Sequence, residues 1–228
     1  MSSSRLKFSV IIFGIWAVLD LAALLPVTRL LHGAFPIFTV VWILIPLAAV
    51  VLTKDASRVG FRPISWSVFD RTIVINLGGL LLLMLLFEPW SHTYRLLLGA
   101  ALAGQTPDTT FAWLLRFPKI SGLVSMLLYS GLVTLFGEEL FFRGWLLQLL
   151  KRRWGGIWAV FIQALLFTIL NLPVALFLPP LQGILYAVVY TFMGIGLFGG
   201  WAASRTDSIW PSLVSATMCN LILVALIL

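Results

Sequence analysis

Gly137-Glu138-Glu139-Leu140-Phe141-Phe142-Arg143-Gly144 stands between two apolar runs, Leu123–Phe136 and Trp145–Leu150. Read as one helix, the combined stretch exceeds the roughly 20 apolar residues that a bilayer crossing requires. An ionisable side chain at bilayer depth costs about 2.5–3.5 kcal/mol on insertion scales, and this octapeptide carries three. Such a concentration marks either a functional site or an internal clasp. The stretch therefore sets the fold class, a helical membrane protein, and also the place where chemistry is to be sought.

The rest of the chain agrees. Hydrophobic residues make up 61% of 228 positions and charged residues 10%, where a soluble domain carries roughly 25% charged. Apolar runs follow one another without the alternation of a membrane barrel, so the expected fold is an all-α polytopic bundle. The net charge of +7 sits between the apolar runs and forms no basic stripe with interleaved aromatics, which excludes a nucleic-acid partner. One cysteine, Cys219, allows no internal disulfide, and there is no Cys/His cluster for a metal.

Seven spans are predicted, over 8–28, 35–53, 71–87, 121–150, 156–172, 181–203 and 208–227. The first follows Arg5 and Lys7 and reads as a retained span, being longer than the apolar core of a secretory signal. It contains Asp20. With the amino terminus cytoplasmic, Arg5, Lys7, Lys54, Arg58, Arg62, Arg71, Lys151, Arg152, Arg153 and Arg205 fall inside, and only Arg29, Arg95, Arg116 and Lys119 fall outside. That asymmetry obeys the positive-inside rule and suits a bacterial inner membrane. The chain divides into N-terminal helices and loops over 1–120 and core helices over 121–228, forming one structural unit. Of the two long connections, 54–70 reads as an interfacial turn. The other, 88–119, reads as an outer excursion with short helices at Leu97–Ala103 and Phe111–Phe117.

Within the octapeptide, Glu139 and Arg143 are four residues apart and share a helix face, whereas Glu138 is rotated by about 100°. An ion pair between Glu139 and Arg143 neutralises both and leaves Glu138 with no basic residue one turn away. A carboxylate so placed is suited to act as a general base. Gly137 and Gly144 allow close approach of another helix or of a substrate backbone.

Glu138-Glu139-x-x-x-Arg143 resembles the first motif of the CPBP family, also called Abi or type II CAAX-endopeptidase-like membrane proteins. The second motif of that family, Phe-x-x-x-His, is similar to Phe167-Thr168-Ile169-Leu170-Asn171. Its third, His-x-x-x-Asn, is similar to Ala216-Thr217-Met218-Cys219-Asn220. Phe192-Met193-Gly194-Ile195-Gly196-Leu197-Phe198 resembles a glycine-bearing helix between them. The resemblance covers about residues 121–225. It implies an intramembrane endopeptidase in which the first glutamate activates water and two histidines bind a metal or polarise the substrate. It also implies a site at Glu138, Glu139, Arg143, Asn171 and Asn220, and substrates such as prenylated tails, signal-peptide remnants or bacteriocin leaders.

Both histidines are replaced, by Asn171 and Ala216. A carboxamide is a poor transition-metal ligand and takes up no proton, and a methyl group does neither. No other side chain is an obvious substitute. His32 and His92 fall in outer loops, the buried Cys219 thiol has no base beside it, and Ser215 and Thr217 are expected to bond to helix carbonyls. The expected function is thus that of a proteolytically inactive member without cofactor, which binds a membrane-protein partner or stabilises a larger membrane complex within the lipid bilayer. The alternative is a CAAX-type endopeptidase that uses Glu138 to activate water, with zinc as its cofactor. A transporter or channel has less support, because such sites favour broken helices in matched halves and several pore-facing polar residues, and beyond Asp20 and the octapeptide few candidates exist.

Overall fold

The computed structural model describes residues 37–93, 95, 96, 136–176 and 178–227, and among these every regular element is helical. Helix α1 is Ile37–Thr53, a short 3₁₀ turn is Ala56–Val59, and α2 is Trp66–Ser91. Helix α3 runs through Phe136–Glu138, a π-helical segment Glu139–Leu146, and Leu147–Trp154. Helix α4 is Gly156–Leu176. Helix α5, Pro180–Thr206, contains a second π segment, Tyr186–Phe198, and α6 is Trp210–Ile227. The predicted first span with Asp20, His32, the first half of the fourth span and most of loop 88–119 lie outside the described residues.

Local chemistry sets the breaks. Gly155 separates α3 from α4 in a single residue at φ +81°, a backbone region in which a side chain is strained. Pro180 and Pro211 sit in the first turns of α5 and α6, where a missing N–H costs nothing. Helix α2 extends four residues beyond the end expected for its span and closes on His92, whose N–H bonds to the Glu88 carbonyl at 2.9 Å. Glu88 therefore belongs to a helix and not to a loop.

Helix α4 packs along the π segment of α5, α2 lies against α5 and α6, and α1 covers the π segment of α3. One core cluster, including Phe141, Phe142, Leu147 and Phe167, fills the space between α3 and α4. A second, including Leu80, Met84, Val189, Tyr190 and Cys219, joins α2, α5 and α6. The exterior is as greasy as the core: Val74 is 70% exposed, Leu85 65% and Leu176 70%. Soluble monomers rarely expose large continuous apolar faces. Two helices, α2 with 26 residues and α5 with 27, are long and apolar enough to cross a membrane.

One end of the bundle is closed by charge. Lys151 donates to the Asp207 carboxylate at 2.7 Å and to the Ser204 carbonyl at 2.5 Å, while Arg62 approaches Asp207 at 3.4 Å. Partial burial opposes ionisation of Asp207, but the hydrogen bond and charge of Lys151, with the charge of Arg62, outweigh it and lower the pKa. A depressed carboxylate pKa contributes stability above its unfolded value near pH 4, and that contribution disappears as pH falls through the folded value. Asp207→Asn is expected to cost about 0.5–1 kcal/mol at neutral pH, as for a solvent-screened pair. The deficit should shrink as detergent melts are taken from about pH 5 downward; a deficit independent of pH would refute the charge clasp.

Candidate functional site

Arg143 and Glu139 form the centre of the site. Their side chains are 0% and 1% exposed, and Nε of Arg143 faces Oε1 of Glu139 at 3.5 Å. That is an ionic contact, longer than a tight hydrogen bond. Nη2 of Arg143 donates to the Ile195 carbonyl of α5 at 2.8 Å, and the guanidinium lies over the Phe167 ring at 4.3 Å. Only a planar, multi-donor cation satisfies a carboxylate, a carbonyl and an aromatic face together. The Ser212 hydroxyl of α6 supports the carboxylate of Glu139 by a side-chain hydrogen bond. The ion pair anticipated from the four-residue spacing is therefore present, and it ties α3 to α4, α5 and α6.

Room for these groups comes from α5. A Cβ at Gly199 would stand 2.7 Å from the Ser212 hydroxyl and 3.5 Å from Nε of Arg143, and one at Gly200 would stand 2.5 Å from Oε1 of Gln163. Two glycines in succession thus admit polar side chains from three neighbouring helices. Among the described residues, Oε2 of Glu139, Nη1 of Arg143 and both amide atoms of Gln163 have no hydrogen-bond partner. Hydrogen-bonding capacity remains at the middle of the bundle.

The motif positions are distributed over α3, α4 and α6. Glu138 is partly buried and is not stranded as the sequence suggested. Asn171 donates through Nδ2 to the Phe167 carbonyl of its own helix at 2.9 Å and accepts from the Tyr186 hydroxyl of α5 at 3.4 Å. Its contacts run to these two groups rather than to Glu138. Ala216 is buried against Leu213, and Asn220 is partly buried one turn further along α6. Ser215 and Thr217 donate to the Pro211 and Leu213 carbonyls, each at 2.8 Å, as anticipated. His92 is exposed at the end of α2, and Cys219 is buried in the core. Gly144 admits the Val59 carbonyl, which would lie 2.4 Å from an added Cβ, in place of the helix or substrate expected there.

A polar cluster beside Asn171 escaped the sequence reading. The Tyr190 hydroxyl donates to Glu88 at 2.6 Å, Glu88 also accepts from the Arg95 N–H at 3.0 Å, and Tyr190 stacks on Tyr186 with ring centroids 6.4 Å apart. Tyr186 then reaches Asn171, so a chain of polar groups links α2, α5 and α4. The four-residue spacing of Tyr186 and Tyr190 was visible in the sequence. Their acidic partner, 98 residues before Tyr186, was not.

Residues 120–222 match the family model for type II CAAX prenyl endopeptidase Rce1-like proteins. This segment is similar to the Rce1-like family. It contains Glu138, Glu139, Arg143, Asn171, Ala216 and Asn220, and its limits agree with the extent of the resemblance read from the motifs. No curated protein and no solved structure matches the chain. Rce1-like proteins, as type II CAAX endopeptidases, are membrane-associated, in keeping with the apolar exterior. Against a zinc ion, the motif positions of this Rce1-like segment offer carboxylates on α3, carboxamides at Asn171 and Asn220, and a methyl group at Ala216. Zinc sites use thiolate, imidazole and carboxylate, and Asn171 already spends its amide on Phe167 and Tyr186. The donor set does not fit the metal.

Proposed function

We propose that this Rce1-like chain has lost peptide-bond hydrolysis and acts as a helix-binding or complex-stabilising subunit. In this reading it spans a bacterial inner membrane seven times, with its amino terminus cytoplasmic and with residues 1–120 packed as one unit with the core helices. The observation that carries it is the engagement of Asn171, at the position of the second motif's histidine, with Phe167 and Tyr186. A side chain bonded in that way holds neither a proton nor a metal for the reaction. Ala216, buried against Leu213, adds a methyl group where the third motif would place its imidazole. The buried Glu139–Arg143 pair serves this reading as a structural clasp that joins four helices.

The family match supports a second reading, an endopeptidase in which Glu138 activates water for cleavage near the membrane surface. Loss of a single oxyanion-stabilising donor costs on the order of 10²–10³ in rate, and two polarising groups are missing from the motif positions. Purified protein assayed for zinc and for cleavage of a membrane-peptide library, as wild type and as Glu138→Gln, separates the two. No Glu138-dependent cleavage is expected. Cleavage that disappears in Glu138→Gln would overturn the subunit reading, and a membrane protein that co-purifies stoichiometrically in mild detergent would support it.

A further inference from the structure

The basic end of the bundle carries cations of two kinds. Lys151 and Arg62 are committed to Asp207, whereas Arg152, Arg153 and Arg205 are exposed and form no ion pair among the described residues. The fold brings Arg205 beside the end of α3. Lys151, next to Arg152, bonds to the Ser204 carbonyl next to Arg205. The Ser204 hydroxyl in turn lies 3.3 Å from where a Cβ of Gly156 would stand.

Between the start of α4 and the end of α5 is a groove of about 380 Å³. Its walls include Ile157, Val160, Phe161, Leu197 and Trp201, with Ser204 and Arg205 at the mouth. The Arg205 guanidinium stands over the Trp201 ring at 6.0 Å, which puts an exposed cation beside an apolar wall. At about 1.5 Å per residue, Leu197 lies roughly 12 Å along the helix from Arg205 and Phe161 roughly 7 Å from Gly156. The headgroup layer on each side of a bilayer is about 5–7 Å deep, so one groove passes from headgroup level into hydrocarbon.

We infer that this groove seats one anionic phospholipid, its phosphate on Arg205 and an acyl chain along Val160, Phe161 and Leu197. Charge complementarity selects the headgroup and the apolar walls select a lipid over a soluble anion. The inference rests on α4 and α5 crossing the membrane and is indifferent to whether the protein is a protease.

Native mass spectrometry of the full chain, delipidated in neutral detergent and titrated with phosphatidylglycerol or phosphatidylcholine of identical chains, tests it. Phosphatidylglycerol is expected to bind more tightly, and Arg205→Ala to weaken it about fivefold, the effect of one basic residue at an anionic surface. Phosphatidylcholine, whose choline offsets the charge of the same phosphate, should lose less than phosphatidylglycerol does. Arg71→Ala, an exposed cation at the start of α2 outside the groove, should change neither. Ile157→Glu, which places a carboxylate at the groove wall, should reproduce the loss should Arg205→Ala prove unstable. Equal binding of the two lipids, equal losses in Arg205→Ala and Arg71→Ala, or displacement by glycerophosphate alone would each overturn the proposal.

Discussion

Arg143→Ala is expected to destabilise the folded protein by about 3–5 kcal/mol, read as a lowered melting temperature in detergent, because it leaves a fully buried carboxylate uncompensated. The loss extends beyond charge. The Ile195 carbonyl would lose a donor at 2.8 Å and the Phe167 ring the cation stacked on it at 4.3 Å. Glu139→Ala should also be severe, since it strands the guanidinium, although the bond to Ile195 persists. The double variant Glu139→Gln, Arg143→Met should cost less than the two alanine variants summed, because no buried charge is left unpaired and a long apolar chain keeps most of the volume. Unchanged melting of both single alanine variants would refute the clasp. The test is independent of activity.

Gly144→Ala should be costly for a different reason. The added methyl would sit 2.4 Å from the Val59 carbonyl and 3.3 Å from the Ile209 side chain. The near atom is backbone, so no rotamer change relieves it, and Gly60 beside it is held by the bond from the Ile209 N–H at 3.1 Å. Overpacking of this kind costs about 1–3 kcal/mol, in excess of the helix propensity that alanine gains. Gly78→Ala on α2 is the matched control, since nothing stands within 4 Å of its Cβ position; relief of backbone entropy should make it neutral or stabilising by about 0.5–1 kcal/mol. Equal melting temperatures for the two variants would show that the 3₁₀ turn is not seated against α3.

The legible part of the site was local. Glu139 and Arg143 lie four residues apart on one helix, and a helix brings such residues together whatever surrounds them, so the ion pair followed from spacing alone. The same reasoning assigned Ser215 and Thr217 to carbonyls one turn back. It failed where a partner came from another helix. Glu88 stands at the start of the outer excursion expected over 88–119. In the structure Pro89 is accommodated inside α2, and the carboxylate is held by Tyr190 of α5. Gly144 was recognised as a place of close approach, but the approaching group proved to be the Val59 carbonyl.

By itself the sequence determined that this is an all-helical protein with an apolar exterior, placed most of its described helices to within a few residues, and identified the octapeptide with its pair and the family motifs. These properties depend on composition and on spacings of at most a turn or two, which the chain carries locally. Tertiary structure alone decided that the guanidinium rests on Phe167 and Ile195, that Gly199 and Gly200 open space for Ser212 and Gln163, and that Asn171 is bonded to Tyr186. Those contacts join residues up to 52 positions apart in sequence. No local periodicity encodes which helices become neighbours, because in lipid that choice rests on close packing and on satisfying each buried polar group.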